Sequence, residues 1–194
     1  MTHPDEAKWN ARYREARPGT VEAAQVLRDY DHLLPAKAVA LDLACGLGGN
    51  ALFLARRGFE VWAWDISPVA IEKLRAAAAE ARLNVTAEVR DVLRAPPEPD
   101  RFDVIVVSRF LERDLMPALL AALKPEGLLF YQTFTRERVD ESGPGNDAYR
   151  LATNELLRLC DGLRVLLYRE EGRVGDIGRG FRNEAMVVAQ RIGG

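Results

Sequence analysis

At 194 residues, 48% hydrophobic and 29% charged, the chain is long enough to bury a core and reads as soluble and globular. A formal net charge of −2 argues against an electrostatic nucleic-acid binder, and no apolar run approaches membrane-spanning length. Cys45 and Cys160 are too few and too far apart for a disulfide framework, and the charged start MTHPDEAKWNARYRE has no signal-peptide core, so a cytoplasmic protein is expected.

Residues 5–16 have helical composition, and Trp9 and Tyr13, four apart, share a face of that helix. The plain reading is that they pack the helix onto the domain; the sharper one is that they close over a ligand. Arg17-Pro18-Gly19 breaks the segment. Residues 21–30 then read as a second helix, with Val21, Ala24, Val26 and Leu27 on its buried side, and Pro35 ends it. Val39, Leu41 and Leu43 mark a first strand, Cys45-Gly46-Leu47-Gly48-Gly49 a glycine loop, residues 50–57 a helix stopped by Gly58, and residues 60–64 a second strand with Asp65 at its end. This is a βαβ unit whose first turn lets the backbone approach a ligand without a Cβ in the way. Asp42, just before the loop, is the discriminating residue. A pyrophosphate disfavours a carboxylate at the helix N-terminus, whereas a ligand with positive charge suits one, and Asp65 then fits ribose hydroxyls.

Ser67 and Pro68 start a helix running to about residue 82, as N-cap and first-turn proline. Residues 85–90 form strand three, ended by Asp91. The β-branched run FDVIVVS at 102–108 is strand four, buried on both faces, and its end at Ser108-Arg109-Phe110-Leu111 should lie beside a cleft. Arg109 is either a substrate-facing cation or paired near Glu112. A helix at 115–123, a Lys124-Pro125-Glu126-Gly127 turn and a strand at 128–134 follow. The long polar segment 135–150 leaves that strand's carboxyl end and can cover a site. Thr153 is placed to cap the next helix. Residues 163–169 and 184–191 are the last strands, joined by a glycine- and arginine-rich loop that is either a mobile charged loop or brings Arg173, Arg179 or Arg182 to an acidic substrate.

The stretch LDLACGLGGNALFLARRGFEVWAWDIS resembles motifs I to II of the class I S-adenosylmethionine (SAM)-dependent methyltransferases. With the upstream W-N-x-R-Y and the later Y-Q-T-F-T, it is similar to their tellurite-resistance TehB-like branch. The resemblance implies an α/β fold: a doubly wound, Rossmann-like seven-stranded sheet in the order 3-2-1-4-5-7-6, strand seven antiparallel, with helices on both faces. It also implies one methyltransferase domain over 1–194, with an N-terminal helical lid segment at 1–37 and a core at 38–194. SAM is the implied cofactor and S-adenosylhomocysteine the product, with contacts carried onto Asp42, Ala44, Cys45, Gly46, Gly48, Asn50, Asp65, Ile66, Ser67, Asp91, Val92, Ser108 and Arg109, and onto Trp9 and Tyr13 if the lid closes. Asp91 and Val92 stand where the family meets adenine. Glu126 replaces the first glycine of the family's L-x-P-G-G turn.

Methyl transfer from a sulfonium needs alignment and exclusion of water, and a base only for a protonated acceptor. No base stands out: His3 and His32 lie in the terminus and in the turn before strand one, and Cys45 reads as a small packing residue. No His/Cys cluster has metal spacing. The expectation is a methyltransferase acting on a small molecule, with a tellurium or selenium oxyanion held by Arg109, Arg179 or Arg182 as one acceptor. The alternatives are a non-catalytic SAM-binding protein and a nicotinamide-dependent oxidoreductase. No nucleic-acid or membrane partner is expected, and the chain reads as a monomer or homodimer. Asp65→Ala is expected to weaken SAM binding far more than stability.

Overall fold

The computed structural model describes residues 4–16 and 21–193. The break at Arg17-Pro18-Gly19 and His3 lie outside the described residues. Seven strands form one sheet in the order β3-β2-β1-β4-β5-β7-β6. They are β1 (Val39–Leu43), β2 (Glu60–Asp65), β3 (Val85–Val89), β4 (Phe102–Ser108), β5 (Leu123–Phe134), β6 (Leu163–Arg169) and β7 (Glu184–Arg191). β1 to β5 run parallel, and β7 is antiparallel to both β5 and β6.

Alternation along the strands divides the core between the two faces of the sheet. Ala40, Val104, Val106, Phe130 and Val188 face α2 (Gln25–Asp29), α3 (Gly49–Arg56) and α4 (Pro68–Glu80). Leu41, Leu43, Ile105, Val107, Leu129 and Val187 face α5 (Met116–Ala122) and α6 (Glu155–Leu159). The doubly wound sheet is therefore covered on both sides, as parallel strands require. Helix α1 (Pro4–Glu15) lies outside both clusters, over the carboxyl end of the sheet, against α4.

Local chemistry explains where the elements begin. Ser67 Oγ accepts the Ala70 N–H at 3.2 Å and Pro68 opens α4, as read from sequence. The helix expected over 21–30 is shorter, because Ala24 is extended (ψ 147°) and its N–H goes to Asn50 Oδ1 at 2.8 Å. Val26 and Leu27 are buried, whereas Val21 is 47% exposed rather than on the buried side. β5 begins at Leu123, five residues before its expected start, because Leu123 pairs with Phe102 across a register shift. Glu126 accepts a left-handed φ of 65° in the first-glycine position of that turn. Gly127 cannot be replaced so easily, since a Cβ there would sit 2.8 Å from the Lys124 carbonyl oxygen. Thr153 does not cap α6: the helix follows a left-handed Asn154, and Glu155 Oε2 accepts the Ala152 N–H at 2.7 Å. Among the described residues, no helix is long and apolar enough to cross a membrane.

Candidate active site

A cavity of about 1330 Å³ opens at the carboxyl ends of β1, β2, β4 and β5. Strand order reverses between β1 and β4, and such a switch point is where open α/β sheets leave a crevice. Of the residues singled out from sequence, Trp9, Tyr13, Ala44, Cys45, Gly46, Asn50, Asp65, Ile66, Asp91, Val92, Ser108, Arg109 and Arg182 line it. Asp42, Gly48, Ser67, Arg173 and Arg179 lie outside the lining.

The glycine loop is held by two carboxylates. Asp65 Oδ2 accepts the Gly46 N–H at 2.8 Å and Oδ1 accepts the Ser67 N–H at 2.9 Å, so β2 carries the loop and the start of α4 on one side chain. Asp42 is fully buried beneath the loop: Oδ2 accepts the Ala51 N–H at 3.0 Å and Oδ1 accepts Asn50 Nδ2 at 3.1 Å. Burial pushes its pKa from 3.8 up to about 7, against those hydrogen bonds. Its side chain therefore lies under α3 and outside the lining of the cavity. Asp65, also raised by burial, still faces the cavity, but it is structural as well. Asp65→Ala would strand two buried N–H groups at about 1–3 kcal/mol each, so its effect on stability is not small. Burial likewise holds the Cys45 thiol well above its ordinary pKa, in keeping with a packing role. Asp91 makes a local turn, Oδ1 accepting the Leu93 N–H at 3.1 Å, and pairs with Arg94 at 3.4 Å.

At the other end of the cavity is a network absent from the sequence reading. Asn50 Nδ2 also donates to Ser108 Oγ at 3.0 Å. Gln132, at the end of β5, accepts the Val26 N–H on Oε1 at 2.8 Å, which turns its Nε2 toward Glu184 Oε2. Glu184, the first residue of β7, is only 8% exposed, and its Oε1 accepts Arg109 Nε at 3.1 Å. Arg109 adopts a left-handed φ of 54°, with its N–H on the Gln132 carbonyl at 2.8 Å. The one signal for Glu184 in sequence is an acid opening an otherwise apolar strand. Arg109 pairs with Glu184 while its side chain, 67% exposed, lines the cavity, so the pairing does not remove it from the site.

Arg182, the other singled-out arginine in the lining, is also engaged. Arg182 donates to the carbonyls of Arg179, Gly172 and Asp176 at 2.6, 2.9 and 2.8 Å. Arg179 is exposed and lies outside the lining of the cavity.

Two segments frame the mouth. On α1, the Trp9 and Tyr13 rings stack at 5.6 Å, and Tyr13 Oη sits so close to the loop that a Cβ at Gly46 would lie 2.8 Å from it. Burial first, then Asp65, raise the Tyr13 pKa, so its hydroxyl keeps its proton. Lys73 Nζ of α4 donates to the Tyr13, Arg14 and Ala16 carbonyls at 2.6, 2.9 and 2.6 Å, capping the C-terminal end of α1. Opposite, the segment 135–150 is shaped by the fully buried Arg150, which donates to the carbonyls of Pro144 (2.7 Å), Thr135 (2.9 Å) and Ser142. The two segments meet where Lys8 Nζ lies 6.0 Å from the Tyr149 ring centroid.

A family model described as a methyltransferase domain matches residues 40–127. The probable SAM-dependent methyltransferase TehB of Haemophilus influenzae is 32% identical over 87 residues, 43% of this chain and 30% of that protein. The chain thus spans less than a third of the length of that relative. The crystal structure of Haemophilus influenzae TehB superposes with a TM-score of 0.72 at 22% identity, covering 96% of this chain and 66% of that one. The geranyl diphosphate C-methyltransferase of Streptomyces coelicolor A3(2), solved with Mg²⁺, geranyl diphosphate and S-adenosylhomocysteine, gives 0.73 at 16% identity over 99% of this chain and 100% of its own. The chain therefore has the fold of these methyltransferases, and the resemblance to the class I SAM-dependent enzymes, TehB among them, holds.

Proposed function

We propose that the chain is a SAM-dependent methyltransferase acting on a small-molecule acceptor. The observation that carries this reading over a nicotinamide dinucleotide is the state of the helix N-terminus. A pyrophosphate needs free N–H groups at the start of α3. Here the Gly46 and Ala51 N–H groups already go to the Asp65 and Asp42 carboxylates. Asp42 thus argues against a pyrophosphate through the donors it occupies.

The residues present fit SAM. The Gly46 cradle has no Cβ, Asp65 retains lone pairs toward the cavity for ribose hydroxyls, and Asp91 and Val92 stand where the resemblance puts adenine. About 1330 Å³ exceeds the roughly 300–1,000 Å³ of a single-ligand pocket, leaving room for a second molecule. SAM would supply a methyl group already activated on a sulfonium. The chain's part is orientation and exclusion of water: Trp9 and Tyr13 over the loop, and Gly143, Pro144 and Tyr149 opposite.

The resemblance suggests a tellurium or selenium oxyanion as acceptor, and the site gives this finer reading little support. Arg109 and Arg182 are engaged within the chain, and Glu184 lines the cavity.

Calorimetric titration with SAM, S-adenosylhomocysteine and NAD tests the proposal. The first two should bind and NAD should not. Asp91→Ala, which removes a local turn hydrogen bond and an exposed pair with Arg94, should weaken SAM about tenfold with the melting temperature nearly unchanged. NAD binding with SAM silent would move the chain to the oxidoreductases.

A further inference from the structure

We infer that Glu184 receives the proton of the methyl acceptor, and that the acceptor is a neutral aromatic compound with a free hydroxyl group. This rests on the methyltransferase reading above.

Three observations meet at this residue. Glu184 is nearly buried yet lines the cavity, so it is aimed at whatever fills it. Its two oxygens each accept one hydrogen bond, from Arg109 Nε and from a Gln132 amide whose orientation is set by the Val26 N–H. A carboxylate offers about four acceptor sites, so two remain for a donor on the ligand. Finally, the cavity it faces carries aromatic rings. Phe134 is its direct cross-strand partner on β5, and Phe110, Phe181 and Tyr149 line the same cavity.

The chemistry of this corner selects the acceptor. Arg109 offsets the charge of Glu184, so the pair as a whole favours a neutral molecule. The rings favour a flat apolar body. The unused acceptor sites favour an O–H. In methylation, the acceptor oxygen forms the new bond to the methyl carbon. The bond from that carbon to the donor sulfur breaks, and its electron pair stays on sulfur. The O–H proton passes to the Glu184 carboxylate and on to water once the product leaves. No further co-reactant is needed.

The test compares 2-naphthol, its methyl ether 2-methoxynaphthalene and sodium tellurite by calorimetry, with and without saturating S-adenosylhomocysteine. 2-Naphthol should bind at least tenfold more tightly than the ether, and tellurite should give no heat. In Glu184→Gln, whose exposed Arg109 can swing away, the preference for naphthol over the ether should fall below about threefold. Turnover of 2-naphthol with SAM should fall by about 10²-fold or more. Equal binding of naphthol and ether by the unaltered protein, no binding of either, or preference for tellurite would overturn the inference without any variant. S-adenosylhomocysteine binding is read separately: its absence overturns the cofactor reading, while the naphthol comparison on the free protein still decides the role of Glu184.

Discussion

Asp42 shows how far one buried carboxylate can shape the molecule from outside the lining of the cavity. In the folded chain it keeps its proton up to about pH 7, and in the unfolded chain only to about pH 4. Between those values the folded state binds more protons, so stability falls as pH rises and levels off above pH 7. The cost is on the order of 4 kcal/mol. Carboxylates with lowered values, such as Glu98 and Glu155, act at lower pH and are constant across this window. About 2.7 kcal/mol of this falls between pH 5 and pH 8, so the melting temperature should drop by about 5–10 °C over that range. Asp42→Asn keeps an acceptor for the Ala51 N–H but does not titrate, so most of that drop should vanish, the remainder belonging to Asp65. An equal drop in the variant would show that Asp42 is ionised throughout. The sequence placed this aspartate beside the loop; it could not reveal which way the side chain turns, because that depends on α3 lying over β1.

At the scale of elements, legibility followed locality. Ser67-Pro68 announces α4 because capping is settled within four residues, and the β-branched run of β4 announces itself because both faces are buried. The start of β5 and the short α2 were not legible, since a distant partner sets each: Phe102 for Leu123, and Asn50 for the N–H of Ala24. Helix α1 is the clearest case of an element held from outside. Among the described residues it contributes nothing to the two apolar clusters, and its terminal carbonyls are gathered by one ammonium, Lys73. Hydrogen bonds to a charged donor are worth about 1.5–3 kcal/mol, and a cation at a helix C-terminus adds to this. Lys73→Met should leave the melting temperature within about 2 °C, since the core is untouched, yet raise amide exchange over residues 4–15 at least tenfold. Unchanged exchange would mean that the Trp9–Tyr13 packing and the Ser67–Asn10 hydrogen bond hold α1 without Lys73.

For the whole molecule, the strand order came from resemblance and the cavity from the order. Once β4 lies beside β1, the ends of β1, β2, β4 and β5 meet. Sequence motifs marked the first three of these ends, with Gly46, Asp65 and Ser108, because a tight turn or a strand end leaves a local trace. Gln132 and Glu184 left almost none, since a polar residue at a strand end gains its meaning only from the strand paired with it. A ligand in this cavity touches segments that otherwise meet mainly at its rim: α1, the glycine loop, the segment 135–150 and the head of β7. Binding should therefore stabilise them together. At a hundredfold excess over its dissociation constant, a ligand specific for the folded state adds about 2.7 kcal/mol. For a chain of this size that is a rise in melting temperature of about 5–10 °C. S-adenosylhomocysteine should produce it and NAD should not, with exchange slowed in α1 and in the segment 135–150 in the same titration. A rise with protection confined to the glycine loop would mean that the two rim segments answer to the acceptor alone, and adding 2-naphthol should then supply the missing protection.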